Sequence, residues 1–477
     1  MKKALSIAVS AAMLFSLSAC GSNETIAETP SPTATELQAS VETAAVDSSM
    51  FTKRDSSTDY DEAAAQYIDL DAQTGDITLT EAGDYVLSGT LTDGSVIINA
   101  PEDAKLHLIL NGAHIASQSA AALYVISADK VFVTLTDGSE NGISAAGDSA
   151  EDDYANVDAA IFARCDISFN GSGSLSVSSA KGRGIVSKDD LVFTGGSYMI
   201  QAANHGISGK DSIRIADGSF DLSSGNDACH CSGDFDFLAG SMEISAADDG
   251  VHSDAALSVS GGSITISLCY DGLEGVTVDI SGGMIDITSS DDGINAANGS
   301  SDSAHDGTDG TPAESAGGVT DMSGDPPEKP DGDSAPDMSC AGMRRPDGGT
   351  PPEKLDGSGT ISGGIVVACD MGGMSQNFSD GSQCSAMISL NGSGEIRLTD
   401  ASGNVLLSYT PADDYSCIVV SCPELSEGSE YTLSYGSASQ SFTQSEAHMG
   451  SASNVPAGGL GGMGGNMGGG FDKSRRP

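Results

Sequence analysis

Tryptophan is absent from this chain of 477 residues, and only 11 tyrosines and 12 phenylalanines are present. A surface that grips neutral sugars by flat aromatic stacking therefore has little to build with. Basic side chains are scarce as well. Twenty Lys and Arg face 68 Asp and Glu, for a formal net charge of −48. That balance argues against nucleic acid and against an anionic membrane surface as partners, and it favours bound cations. Beyond the first segment no apolar run is long enough to span a bilayer. Also missing are a phosphate loop, a zinc-type cysteine spacing and a G-x-S-x-G phrase opening a helix. The G-x-G-x-x-G matches near the C-terminus lack both a preceding strand and a following helix.

The first segment is Met1-Lys2-Lys3, an apolar run to Phe15, then Leu17-Ser18-Ala19-Cys20. This reads as a secretory signal over residues 1–19. Leu-Ser-Ala-Cys resembles the lipobox of bacterial lipoproteins, which makes Cys20 the expected lipidated residue and places the protein outside the cell, anchored by lipid. Loss of Lys2 and Lys3 leaves the mature chain more acidic still. Nine cysteines follow Cys20, an odd number that does not imply a complete disulfide framework. Cys417 and Cys422 are near enough in sequence to pair. Cys229 shares a column with Ile207 and Val251 and is expected to pack as a small hydrophobe.

What is abundant is repetition. Between Ser174 and Asn295 the triplets that begin at Gly184, Gly206, Ala228, Gly250, Gly272 and Gly293 recur at steps of 22, 22, 22, 22 and 21 residues. Val177, Ile200, Leu222, Ile244, Ile266 and Ile287 form one apolar column. Phe193, Ile215, Phe237, Val259 and Ile280 form a second, and Leu191, Ile213, Phe235, Leu257 and Val278 a third. A fixed period with strand-like alternation indicates a solenoid, and the leucine-rich-repeat pattern is absent. The reading is an all-β parallel β-helix with one coil per repeat and coils about 4.8 Å apart. The residue missing from the fifth step falls after Glu274, which implies a shortened turn.

Residues 20–60 are polar and aperiodic and read as lipid anchor plus flexible spacer. Residues 61–296 form the β-helix, with looser coils and a cap at its start. Residues 297–357 are Asp, Pro, Gly and Ser with almost no large apolar side chains, so they are expected to be a disordered insertion. The Ser-Gly-Gly phrase returns before Ile365, so 358–443 supply a last coil and a small C-terminal β cap or sandwich. Asp400 to Asn404 should be its hairpin loop. Residues 444–477 read as a disordered Gly/Met-rich tail.

Several long phrases carry a resemblance. They are Glu81–Ser95, Ser127–Phe132, Gly184-Ile-Val-Ser-Lys-Asp-Asp190, Asp248-Asp-Gly-Val-His-Ser-Asp254, Tyr270-Asp-Gly-Leu-Glu-Gly275 and Asp291-Asp-Gly-Ile-Asn295. Over residues 61–443 the chain resembles a family of secreted bacterial carbohydrate-binding proteins. The resemblance implies a right-handed parallel β-helix similar to pectate lyases, bound calcium, and attachment to polygalacturonate-type polysaccharide or cellulose.

The residues point to metal independently. Asp227, Asp249, Asp271 and Asp292 recur on successive coils. Asp248 and Asp291 precede two of them, and Glu274 and Asn295 follow two of them past the bend. Calcium takes six to eight oxygen ligands at about 2.3–2.6 Å, so one ion can bridge carboxylates of adjacent coils. The competing reading is plain Asn-Asp-Gly turn chemistry with a left-handed backbone. That reading explains one Asp per turn but not the doubled Asp or Glu274. His230, His252, Tyr270, Lys188 and Lys210 are the candidate contacts to a sugar polymer. The two histidines have a zinc site or an idle surface position as alternatives. Tyr198 follows an inward column and is expected in the core. The coil carrying Asn204-His205 departs from the family's Asp pattern. Because the chain is so acidic, an acidic polymer needs calcium as a bridge. The expectation is binding without cleavage. The rivals are a calcium-dependent polysaccharide lyase, with Arg183, His205 or the lysines as base, and a metal-stiffened adhesin.

Overall fold

The computed structural model describes residues 50–118, 121–146, 157–296, 358–371 and 376–450. Cys20, the insertion at 297–357 and the end of the tail from 451 lie outside these residues. The described chain is all β apart from one short 3-10 turn, Leu70–Ala72. None of its helices is long and apolar enough to cross a membrane.

The apolar columns dictate the architecture. Each coil runs along three faces, and each face stacks parallel on the next coil, giving a right-handed parallel β-helix of about 10 turns. On the first face Phe193 pairs with Ile215, then Phe237, Val259 and Ile280 in turn. On the second, Val177 pairs with Ile200, followed by Leu222, Ile244, Ile266 and Ile287. On the third, Ile185, Ile207, Cys229, Val251, Leu273 and Ile294 stack. All of these side chains are buried in one continuous core. The shortened step is visible in the register: Ser253 faces Gly275 while Ala256 faces Thr277, so one residue is lost between the third and first faces.

Both ends are finished differently from the repeats. Part of the expected spacer is packed on the coils. The buried Asp55 carboxylate accepts from Ser168 Oγ at 2.6 Å and pairs with Lys130 Nζ at 2.8 Å. Asn170 Nδ2 and Thr194 Oγ1 donate to the Asp55 carbonyl, and Arg214 donates to that of Met50. These polar groups of four coils hold a segment with too few apolar side chains to be recognised as packed. After the insertion the coil resumes: Ser358–Ile361 and Ile365–Asp370 both pair parallel with Leu273–Ser289. The ladder then turns antiparallel through Tyr415–Ser421 and Ser385–Gly392. A separate antiparallel sheet carries Val405–Tyr409, Ile396–Asp400, Glu430–Tyr435 and Ala438–Thr443 over its own core. Asp400 Oδ1 accepts from the Ser402 and Asn404 amides and closes the expected hairpin. The first residues assigned to the tail are also held, since buried Gln444 donates to the carbonyls of Ser385 and Glu446. Cys417 and Cys422 are not bridged. Five residues of extended strand separate their Cα atoms by about 16 Å, far beyond the roughly 7 Å a disulfide spans.

The C-terminal subdomain covers the outward side of one coil. Met284 packs on its core and Thr288 Oγ1 meets Tyr409 Oη at 2.8 Å. Asp286 lies between them, and burial pushes its carboxyl up to about 6. A folded-state value above the unfolded one means the folded chain holds this proton more tightly. The associated stability is complete below about pH 4 and is lost as pH rises through about 6. Asp286→Asn should therefore stabilise the protein at pH 7.5 by about 1–3 kcal/mol. The difference should vanish near pH 4, and paired thermal melts at the two pH values measure it.

Candidate metal centre

The turn between the second and third faces brings the acidic row together. Asp227, Asp249, Asp271 and Asp292 are all buried, between 4 and 7 % exposed. One oxygen of each of the first three has a structural task. The amide of Asp249 donates to Asp227 Oδ1 at 3.2 Å, that of Asp271 to Asp249 Oδ1 at 3.0 Å, and that of Asp292 to Asp271 Oδ1 at 2.9 Å. The carboxylates thus form a ladder along the helix axis. The glycines that follow are not in the left-handed region. They are small because the coils touch: a Cβ on Gly272 would sit 2.3 Å from the Gly293 carbonyl oxygen and 2.6 Å from Ile287 Cγ2. Gly272→Ala should cost about 1–3 kcal/mol in a denaturant titration, because backbone has to move.

The second oxygens point to the outward column of the third face. That column is apolar at Phe162 and Val186 and continues as Ser208, His230, His252, Glu274 and Asn295. Asp227 Oδ2 lies 2.9 Å from His230 Nδ1 and 3.2 Å from His205 Nδ1. His252 Nδ1 lies 3.2 Å from Asp249 Oδ2 and 2.9 Å from Glu274 Oε2. Asn295 Nδ2 donates to Asp271 Oδ2 at 2.8 Å and to Glu274 Oε1 at 3.3 Å, and Gln376 donates to Asn295 Oδ1. Asp292 Oδ1 is buried with no hydrogen-bond partner.

Stacking so much negative charge out of water has a visible electrostatic result. Burial, reinforced by neighbouring carboxylates, pushes Asp271 up to about 6 and Asp292 up to about 7. Asp249 is raised too, by burial first. Asp227 goes the other way: burial would raise it, but the imidazoles of His205 and His230 outweigh that and hold it low. His252 is disfavoured as a cation by burial, yet Asp249 and Glu274 together lift it to about 11, so it stands as an imidazolium between two carboxylates.

Among the described residues, three groups could hold an ion: His205 with Asp227 and His230, Asp249 with His252 and Glu274, and Asp227 with Asp248 and Asp249. Only the last is all oxygen. Asp271, Asp291 and Asp292 join none of them; Asp291 meets the hydroxyl of Tyr270, whose pKa it pushes up to about 12. Tyr270 is 50 % exposed, whereas Tyr198 is buried and donates to the Gly195 carbonyl. Lys188 and Lys210 are not brought to the row. They follow the far ends of Arg183–Ser187 and Ile207–Gly209, and Lys188 Nζ lies over the Phe162 ring. Arg183 is tied to Asp158 by Nε and Nη2, each at 3.1 Å. His205, on a coil that departs from the Asp pattern, is nonetheless part of the cluster. The signal for it was its place in the Asp column, one repeat before Asp227.

A "Carbohydrate-binding domain-containing protein" of Acetivibrio thermocellus is 32 % identical over 149 residues, covering 30 % of this chain and 51 % of the relative. The chain thus spans about half the length of the curated relative it matches. A solved structure described as "the polysaccharide lyase-like protein from C. thermocellum, Gadolinium derivative" is similar at 25 % identity and a TM-score of 0.41. The similarity covers 49 % of this chain and 96 % of that one. Residues 73–310, which contain the regular coils and the whole acidic row, match the family model described as carbohydrate-binding domain-containing protein.

Proposed function

We propose that the protein is a cell-surface lipoprotein, anchored through Cys20, that binds polysaccharide without cleaving it, and that calcium held by the Asp row completes the binding surface. The observation that carries this reading is the stack of four buried carboxylates inside the segment that matches a carbohydrate-binding family. A cation fits there because Asp292 Oδ1 is buried without a partner and like charges crowd the row. Asp248, Asp249, Asp271, Glu274, Asp291, Asp292 and the carbonyl oxygen of Asn295 are the oxygen donors, with Asp227 shared at the His end. Bound calcium would supply positive charge to which uronate oxygens of an acidic, pectin-like polymer can add. The chain's own part is to hold the carboxylates in register through the amide ladder and to offer Tyr270 as an exposed ring beside Asp291. Cellulose is the second polymer to try.

A lyase would need a basic side chain at the row. Arg183 is engaged by Asp158 and Lys210 lies at the far end of its strand, which leaves His205, 3.2 Å from Asp227 Oδ2, as the base a lyase would have to use. The test is electrophoresis of the chain through gels containing polygalacturonate or a neutral glucan, with calcium or with chelator, while the same mixtures are followed for absorbance of unsaturated product. Retardation by polygalacturonate in calcium, without product, supports the reading. Product formation establishes a lyase. Free migration under every condition leaves a metal-stiffened scaffold.

A further inference from the structure

The nitrogen-rich end of the row is built differently from the rest. Asp227 Oδ2 is flanked by two imidazole nitrogens, His230 Nδ1 at 2.9 Å and His205 Nδ1 at 3.2 Å. In a tetrahedral zinc site with bonds of about 2.0–2.1 Å, neighbouring donor atoms lie roughly 3.3 Å apart. One ligand atom from each of the three residues lies within 4.8 Å of the others, so one small ion can reach all three side chains.

Two buried polar atoms at this place lack hydrogen bonds. His205 Nδ1 lies 3.2 Å from Asp227 Oδ2 without a well-aligned hydrogen bond to any group, and Ser208 Oγ, on a residue 4 % exposed, has no partner. Ser208 is the outward neighbour of His230 one coil earlier. It follows His205 by three residues, the offset at which His230 meets Asp227, so its hydroxyl faces the same space. The supports are in place as well. Asp227 Oδ1 accepts the Asp249 amide, which fixes the carboxylate, and the Asn226 side-chain amide lies 3.3 Å from His205 Nε2, where with its oxygen turned to the ring it accepts the Nε2–H of an Nδ1-ligated imidazole. Outer contacts of this kind are what orient metal-bound carboxylates and imidazoles. The rings of His205 and His230 lie 4.7 Å apart, and those of His230 and His252 5.0 Å apart and nearly parallel, so the stack holds the imidazoles one per coil.

We infer that His205 Nδ1, Asp227 Oδ2 and His230 Nδ1 form a site for a zinc-class divalent transition-metal ion, which adjoins the all-oxygen group through Asp227 and has a fourth coordination place open beside Ser208. Two imidazoles and one carboxylate suit zinc, cobalt or nickel, whereas calcium prefers an oxygen shell. His252 is not a ligand, since its Nδ1 is already committed to Asp249 and Glu274.

The test strips the whole chain with chelator, restores excess calcium, and titrates with cobalt(II) and then zinc. The expected result is about one tightly held equivalent. Cobalt should show the intense visible absorption of a four-coordinate site, and zinc should bleach it while calcium does not. His205→Gln and His230→Gln should each weaken zinc uptake at least about tenfold, the usual loss on removing one metal ligand or its support. His252→Gln, which removes a stacking neighbour of His230 but no ligand, should weaken it far less. Where a variant does not fold, as judged by circular dichroism, the cobalt spectrum of the unaltered chain still reports the donor set. A weak octahedral-type spectrum, displacement by calcium, or equal uptake by folded His205→Gln and His230→Gln chains would overturn the inference. Polysaccharide binding is not part of this readout, so the site and the proposed function stand or fall separately.

Discussion

Asp271→Asn together with Asp292→Asn should abolish calcium-dependent polysaccharide binding, with affinity falling at least about tenfold, while the fold survives. Asparagine keeps a side-chain oxygen where Asp271 Oδ1 accepts the Asp292 amide, so the ladder is retained. What disappears is two of four buried charges stacked along the axis, together with the acceptor that Asp271 Oδ2 offers Asn295 Nδ2. Burial and mutual repulsion disfavour those charges in the metal-free chain, and a bound cation reverses that balance. The two chains should therefore cross over. In chelator the double variant melts at the higher temperature. In calcium the unaltered chain does, because an ion that binds only the folded state stabilises it by mass action. Equal melting shifts on adding calcium would mean that Asp271 and Asp292 do not hold the ion.

The largest effect on stability is expected from Phe193→Ala. Phe193 is fully buried between neighbouring coils. Its ring stacks on Phe169 at 5.1 Å and meets the edges of Tyr198 and Phe220 at 5.1 and 5.2 Å. Truncation leaves a cavity that stacked coils cannot close without losing register, at a cost of about 3–5 kcal/mol. Tyr198→Phe removes only the hydrogen bond to the Gly195 carbonyl and should cost about 1 kcal/mol. Urea melts of the two variants would measure both values. If Phe193→Ala cost no more than Tyr198→Phe, the aromatic stack would not be a rigid part of the core.

The regular coils were legible because strand alternation and a 22-residue step act together. A residue such as Ile207 is apolar, has Cys229 and Val251 one and two steps on, and stacks with both in the structure. The acidic row was legible for the same reason, since Asp227, Asp249 and Asp271 recur at the same step. Features that depend on partners far away in sequence were not. Asp55 reaches Ser168 across 113 residues, and nothing in the polar run around it marks that contact. His205 follows Arg183 in the column that becomes aspartate from Asp227 onward, and its pairing with His230 emerges only when the coil turn sets both beside Asp227. Lys188 and Lys210 share the repeat step as well, and their column follows the C-terminal ends of Arg183–Ser187 and Ile207–Gly209 rather than the turn that carries the acidic row. The doubled Asp was a sound signal of crowded charge. The glycine after it proved to mark close approach of coils rather than a left-handed turn.

The central claim is that calcium on the Asp row links this acidic protein to an acidic polysaccharide. The most direct measurement is calorimetric titration of the whole chain with polygalacturonate, first in calcium and then after chelation, with the Asp271→Asn/Asp292→Asn chain in parallel. The account predicts heat of binding only for the unaltered chain in calcium. Binding of equal strength in chelator, or by the double variant, would contradict it.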